Sequence, residues 1–452
     1  MSTTPRVHDV IPLREAAKAW FKISLQTFGG PAGQIAVMQR SLVDEHRWIG
    51  ERRFLHALSY CMLLPGPEAQ QLAVYIGWLL NGTRGGLIAG VLFVLPGVVA
   101  LLALSAIYVA FGETAVVTAL FTGLAAAVLA IVIQAVIKVA KRALHHAALM
   151  ALAVASFVAL AVFAVPFPVV IAAAAAIGWV LGRVRPAIMA APAKTTGPDG
   201  TEPLISDDAL HHTAPSWRRA AVILGLGIPL WLGPVAVAYA LTGAQSVYTQ
   251  QGLFFSGTAL VTFGGAYAVL AYVAQQAVTT YGWLAPGEMV RGLALAETTP
   301  GPLIMVVQFV AFLGAFRDPG TLDPWAAAVL ASLLTTWVTF VPCFLFIFLG
   351  APHVERLRGN KSLSAALTGI TAAVVGVIAN LAVYFAVHTL FATTTGLDWG
   401  PIHIDLPQIQ SLQPGAVLIG VAAMIMIFKL RWSVLRTLGV CAAAGLALGL
   451  LT

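Results

Sequence analysis

Phe28-Gly29-Gly30-Pro31 and Phe263-Gly264-Gly265 are two copies of one segment. Each is followed by a second shared motif, Pro65-Gly66-Pro67 in the first case and Pro300-Gly301-Pro302 in the second. Both pairs are offset by 235 positions (264 − 29 and 300 − 65), and Trp48 and Trp283 keep the same offset. Further on, Phe93-Val94-Leu95-Pro96 and Phe340-Val341-Pro342 stand 246 apart (342 − 96), as do Thr122-Gly123 and Thr368-Gly369. The chain is therefore an internal duplication, with 11 extra residues (246 − 235) in the second copy, around 317–325. In a membrane chain, hydrophobic segments interrupted by Gly and Pro at matching places in two halves point to a transport site.

The membrane reading follows from composition. Of 452 residues, 59% are hydrophobic and 10% are charged, against roughly 25% charged in a soluble domain. The runs 87–110, 120–136, 220–241, 326–349 and 363–387 reach or approach the roughly 20 residues that cross a bilayer. The N-terminus is polar to Arg14 and lacks a signal-peptide pattern, so insertion as an uncleaved polytopic protein is expected. The formal charge of +7 does not indicate nucleic-acid binding, because the basic residues fall in loops, where they set orientation. Cys61, Cys343 and Cys441 form no CxxC or Cys/His zinc spacing, so neither a disulfide framework nor a metal site is expected. His145-His146 and His211-His212 have no partners at ligand spacing and read as loop histidines.

Equivalent loops carry opposite charge. Arg40, Arg47, Arg52 and Arg53 have no basic counterpart in 275–288, and the turn at Glu113 has none where its counterpart holds Arg356, Arg358 and Lys361. Lys138, Lys141 and Arg142 are matched by a stretch, 384–414, that carries Asp398 and Asp405 and no Lys or Arg. Because Lys and Arg accumulate on the cytoplasmic side, the two repeats read as inverted. Segment 220–241 has no counterpart in the first half, and one extra crossing inverts whatever follows. The expected fold is an all-α polytopic membrane protein with two inverted-topology repeats and Gly/Pro-broken helical hairpins around a midplane site. Its parts are a first repeat at 1–185, a disordered cytoplasmic linker at 186–216, an inverting helix at 217–246 and a second repeat at 247–452. The N-terminus is expected to be cytoplasmic and the C-terminus outside. Roughly nine crossings are expected, with shorter hairpins near 12–45, 53–82, 247–280 and 286–315.

A helix begun inside the membrane presents unpaired N–H groups and the positive end of its dipole, which suits an oxyanion. Gly29, Gly30, Gly264 and Gly265 let the backbone bend, and Pro31 fits a first helical turn. Pro67 and Pro302 open new helices after Pro65-Gly66 and Pro300-Gly301. Four such starts make a cradle for a tetrahedral dianion, with backbone N–H groups at Gly30, Gly66, Gly265, Gly301 and the residues after them as the expected donors. Arg291 is a candidate counter-charge, or else it snorkels or pairs with Glu288 or Glu297. Gln34, Gln70, Gln71 and Gln308 either donate to oxyanion oxygens or bond between helices. Glu68 and Glu297 are candidate proton carriers, since intramembrane carboxylates mark ion or proton pathways. Alternatively, Glu68 only complements a helix dipole.

Phe28-Gly29-Gly30-Pro31, Leu64-Pro65-Gly66-Pro67-Glu68-Ala69-Gln70-Gln71 and Tyr75-Ile76-Gly77-Trp78 resemble the chromate ion transporter family. So do residues 263–270 and 297–304. The resemblance covers nearly the whole chain and matches the family's long, two-domain form. It implies a secondary transporter that exports chromate across the bacterial inner membrane, coupled to the proton-motive force, with sulfate as analogue. The copies are not equivalent, as Pro31 becomes Ala266 and Glu68 becomes Leu303. The implied partners are chromate, sulfate as competitor, protons and the lipid bilayer, with a homodimer left open and no nucleic acid or cofactor. One rival is a carrier of another oxyanion such as sulfate, inward or outward. A second class of rival is a passive anion channel or an intramembrane enzyme. No GxSxG or HExxH occurs, and Gly359-Asn360-Lys361-Ser362 lacks the Walker spacing.

Overall fold

The computed structural model describes residues 10–189, 216–263, 265–353, 360–399 and 402–451. The chain is a polytopic, almost wholly helical membrane protein. Its first half runs α1 (Leu13–Ser24), α2 (Gly30–Gln39), α3 (Glu51–Cys61), α4 (Glu68–Phe111), α5 (Ala115–Ala143), α6 (Ala147–Ala161) and α7 (Phe167–Val184). A short α8 (Pro186–Met189) and the unmatched α9 (Trp217–Thr242) follow. The second half runs α10 (Val247–Val261), α11 (Ala266–Gln275), α12 (Glu288–Thr298), α13 (Val306–Arg317), α14 (Pro324–Gly350), α15 (Lys361–Leu390), α16 (Pro414–Met424) and α17 (Val434–Leu451).

Six of these helices, α4, α5, α7, α9, α14 and α15, are long and apolar enough to cross a membrane. The other three expected crossings are shorter apolar helices, Ala147–Ala161, Pro414–Lys429 and Val434–Leu450. The 44 residues of α4 would span about 66 Å as a straight rod, far more than a bilayer. The helix breaks at Asn81 and Gly82, which leave helical geometry, and Asn81 Nδ2 donates to the Ile11 carbonyl. In the second half this single kink becomes the separation of α13 from α14, where the extra residues lie. Asn360 accepts from Leu363 N and caps α15, so the lysine beside it belongs to a helix start and not to a phosphate loop.

The halves interlock by exchanging contacts. Helix α5 packs on α17 of the other half, and α7 packs on α15. These interfaces work because glycines let backbones approach. A Cβ on Gly123 would run into the Cys441 carbonyl, and one on Gly369 into the Ala174 carbonyl. Gly445 and Gly449 face Gly123 and Ala119, while Gly178 and Gly182 face Gly369 and Ala365, so both pairs run antiparallel. Gly86 and Gly90 likewise lie against Phe348 and Phe344. Gly123→Val should cost about 1–3 kcal/mol or more by overpacking, because the obstacle is backbone that cannot rotate away. The expected result is a lowered unfolding temperature and less monodisperse protein on size exclusion. Unchanged melting would mean that the α5–α17 contact is looser than described.

Two features depart from the sequence expectations. Residues Thr394–Trp399 and Ile402–Pro407 form an antiparallel hairpin between α15 and α16, where an all-helical chain had been expected. The alternation of Ile402, Ile404 and Leu406 after Gly400-Pro401 is the strand signal. The expected linker begins with ordered structure, since Ile188 and Met189 of α8 are buried and His145 Nε2 lies 3.0 Å from the Ile188 carbonyl oxygen. The rest of the linker, including His211 and His212, lies outside the described residues. His146 is not a free loop residue either, because its ring accepts from Ala148 N at the start of α6.

Candidate functional site

Each half contains two broken hairpins, and glycine geometry makes both kinds of break. Gly29 and Gly30 sit at φ +78° and +71°, and Pro31 stands in the first turn of α2. Gly265 at φ +107° opens α11, whereas Gly264 lies outside the described residues. Gly66 and Gly301 sit at φ +120° and +113°, a region that side chains with a Cβ rarely adopt. Pro67 then precedes α4, and Pro302 precedes a 3-10 turn, Leu303–Met305, that leads into α13.

The four starts meet at one small enclosed pocket. Pro31 and Gln34 of α2, Pro67 and Glu68 at α4, Gly265 at α11 and Pro302 before α13 all line it. Its free volume of about 10 Å³ holds roughly one water. A reciprocal backbone lock surrounds it. Gly66 N donates to Thr262 O at 2.8 Å, and Gly301 N donates to Thr27 O at 3.0 Å. Thr27 and Thr262 are equivalent by the same 235-residue offset, so each half holds the other's turn.

That lock corrects one sequence expectation. The N–H groups of Gly66 and Gly301 already have acceptors, and Pro67 and Pro302 bring no N–H. The free first-turn donors of these two starts therefore begin at Glu68 and Leu303, beside those of α2 and α11. Gln34 Nε2 donates to the Gly301 carbonyl at 2.5 Å, and Gln71 Nε2 donates to the Pro65 carbonyl at 2.6 Å. Gln70 is fully buried, and neither end of its amide has a partner. Gln308 does not reach the pocket. It donates to the Val98 carbonyl and accepts from Thr336, the interhelical role weighed as its alternative.

Arg291 also lies outside the pocket lining. Its Nη1 donates to the Tyr108 hydroxyl at 3.0 Å, and Tyr108 donates to Glu288 Oε1 at 3.2 Å. Glu288 is held bidentately by Arg317, at 2.7 and 2.8 Å, and accepts from Ala285 N. The structure thus links Arg291 to Glu288 through a tyrosine rather than to the four helix starts. Glu288→Ala removes both bonds from Arg317 and the acceptor of Tyr108 and Ala285 N, but it leaves a half-exposed arginine that water can solvate. The expected cost is about 2 kcal/mol, read as a lower unfolding midpoint. An unchanged midpoint would mean that the Arg317–Glu288 pair contributes nothing to stability.

Glu297 is buried at 1% exposure near the end of α12. Its Oε1 accepts from the Tyr267 hydroxyl at 2.5 Å, and its Oε2 has no partner. Tyr267 is a residue to which sequence reasoning gave no role. Its signal was available, since it stands where the first half has Ala32, a phenol in the first turn of a broken helix. Among the described residues no group of three or more His, Cys, Asp and Glu could hold a metal ion.

Comparison with known proteins now decides the family. The chromate transporter family model matches residues 14–179 and 249–447, one match in each half. The chain belongs to the chromate transporter family. A chromate transport protein of Pseudomonas aeruginosa is 31% identical over 83% of this chain and 82% of its own length. A chromate transport protein of Cupriavidus metallidurans is 27% identical over 85% of each. An uncharacterized transporter of Methanocaldococcus jannaschii is 22% identical over 81% of this chain and 83% of its own. These homologues carry names of transport proteins, not enzymes. No solved structure matches this one. In this chromate transporter family member, both matched segments contain one Gly-Gly break and one Pro-Gly-Pro break.

Proposed function

We propose that the protein is a secondary transporter that exports chromate across the bacterial inner membrane, coupled to the proton-motive force. The observation that carries the reading is the convergence of four helix starts on one pocket. Each start contributes roughly half a positive charge, so four approach the charge of a dianion without a fixed cation. That matches family membership, and it explains why Arg291 is not needed at the site. The donors are first-turn N–H groups at Gly30, Gly265, Glu68 and Leu303, with Gln34 as a side-chain donor; Gln70 lies outside the pocket lining. Glu297, and Glu68 at the pocket wall, carry the proton.

Antiparallel packing of α5 on α17 and of α7 on α15 supports inverted repeats, as does the unmatched crossing α9. The pocket is too small for an oxyanion, which fits an occluded state that opens by rocking one half against the other. The basic loops of the first half favour a cytoplasmic N-terminus. Sulfate is the second reading, because a cradle of backbone N–H groups discriminates weakly between tetrahedral dianions.

Inside-out vesicles energised with NADH provide the test. Labelled chromate should accumulate, collapse with a protonophore and fall with excess sulfate. Accumulation of sulfate but not chromate would overturn the substrate assignment. Equilibration without accumulation would indicate a channel.

A further inference from the structure

We propose that Tyr267 is a proton-controlled hydrogen-bond switch in which its phenol donates either to Glu297 or to an oxyanion bound beside Gly30. This rests on the transporter reading given above. The geometry supplies both acceptor positions. The phenol donates to Glu297 Oε1 at 2.5 Å. A Cβ built on Gly30 would lie 3.5 Å from the same phenol oxygen, so the hydroxyl borders the mouth of α2, where the pocket wall continues through Pro31 and Gln34. Glu297 Oε2 is buried without a partner, so it is the atom left to take a proton.

The proton balance is direct. With Glu297 ionised, the phenol is held by the carboxylate, and an arriving dianion meets both a negative charge and an occupied donor. With a proton on Oε2, the carboxyl is neutral and the phenol O–H is released to an oxyanion oxygen. The phenol keeps its own proton throughout. Acid therefore favours binding. The loaded site then carries one net negative charge for a dianion plus a proton. An inside-negative potential drives that net charge outward, by about 2.3 kcal/mol per 100 mV, while the proton itself travels against the chemical proton gradient, so the membrane potential supplies the drive.

Other ionisable groups surround the pair. Lys138 lies on α5, which packs against α12, and Glu68 of α4 shares the pocket. Arg317 of α13 and Tyr108 of α4 are engaged with Glu288 at the opposite end of α12. Tyr384 and His388 of α15 lie together near Gly287 at that same end, and Arg436 of α17 is exposed. Tyr272 and Tyr281, on α11 and just beyond it, pack at a tilt against Phe254. The first half has Ala32 and Met62 at the positions of Tyr267 and Glu297, so only one of the two related places carries the pair.

Sulfate binding to the purified full-length protein tests the switch, because sulfate keeps its charge across the range. Calorimetry would compare roughly pH 5 with roughly pH 9, which bracket a carboxyl in a buried setting. Tyr267→Phe keeps the ring and is expected to bind about tenfold more weakly than wild type in acid. In alkali, where the phenol is already committed to Glu297, the two proteins should bind alike. Glu297→Gln should bind independently of pH. A Tyr267→Phe loss of equal size at both pH values, or no loss at either, overturns the switch and leaves the transporter reading standing. Wild-type protein that binds no sulfate and no chromate at either pH overturns both.

Discussion

Gly301→Val is expected to reduce chromate flux to the level of vesicles without the protein, a loss of at least about 100-fold. Three effects coincide at this residue. Its φ of +113° is costly for any L side chain, about 1–2 kcal/mol in the left-handed region. It is costlier still for a β-branched residue. A Cβ there would come within 3.3 Å of Gly97 Cα, which is backbone and cannot swing aside. The same residue donates its N–H to Thr27 and accepts from Gln34, so relieving the strain by moving the turn breaks the cross-half lock. Gly66→Val should behave alike, since its Cβ would lie 2.9 Å from both Cys343 Sγ and Gln71 Nε2. Gly257→Ala is the matched control, because a Cβ there meets nothing within 4 Å. Flux normalised to monodisperse protein separates a lost site from lost folding. Wild-type flux in Gly301→Val would show that the turn is not part of the path.

The second large effect is expected for Glu297→Gln. A glutamine keeps an acceptor for Tyr267 at the same place but cannot lose or gain a proton. It fixes the neutral form, in which the phenol is free for the anion. The oxyanion should then bind well and leave slowly. One charge-assisted hydrogen bond retained through release is worth about 1.5–3 kcal/mol, so transport should slow about 10- to 100-fold. The residual rate should be flat with pH where wild type is steep. Glu68→Gln should also weaken coupling, through the pocket wall. Wild-type flux with an unchanged pH profile in Glu297→Gln would remove that carboxyl from the coupling path.

How far the residues foretold this molecule depends on the kind of interaction. The breaks were legible because Gly and Pro act locally. Gly66 and Gly301 permit the positive φ that a sharp break takes, and Pro31, Pro67 and Pro302 mark helix starts by their missing N–H. The duplication was legible because its offsets are unbroken from Phe28 to Pro67. What was not legible depends on the meeting of the two halves. Nothing in Pro65-Gly66-Pro67 says that the glycine N–H will be taken by Thr262, 196 residues away (262 − 66). The same holds for Arg291, whose place is set by Tyr108 on a helix of the other repeat. Tyr267 was passed over for a different reason: its place in the first turn of a broken helix was visible, but an aromatic in an apolar helix reads as core until its hydroxyl is found against a buried carboxylate. The hairpin at 394–407 was masked by the helices that flank it.

The central claim is that the four helix starts hold the oxyanion. Anomalous scattering from chromium in crystals of the full-length protein soaked in chromate tests it most directly. The expected result is a single strong peak enclosed by Pro31, Pro67, Gly265 and Pro302, weakened by competing sulfate and absent in Gly301→Val crystals. A peak at Arg291 and Tyr108, with none at the helix starts, would contradict it.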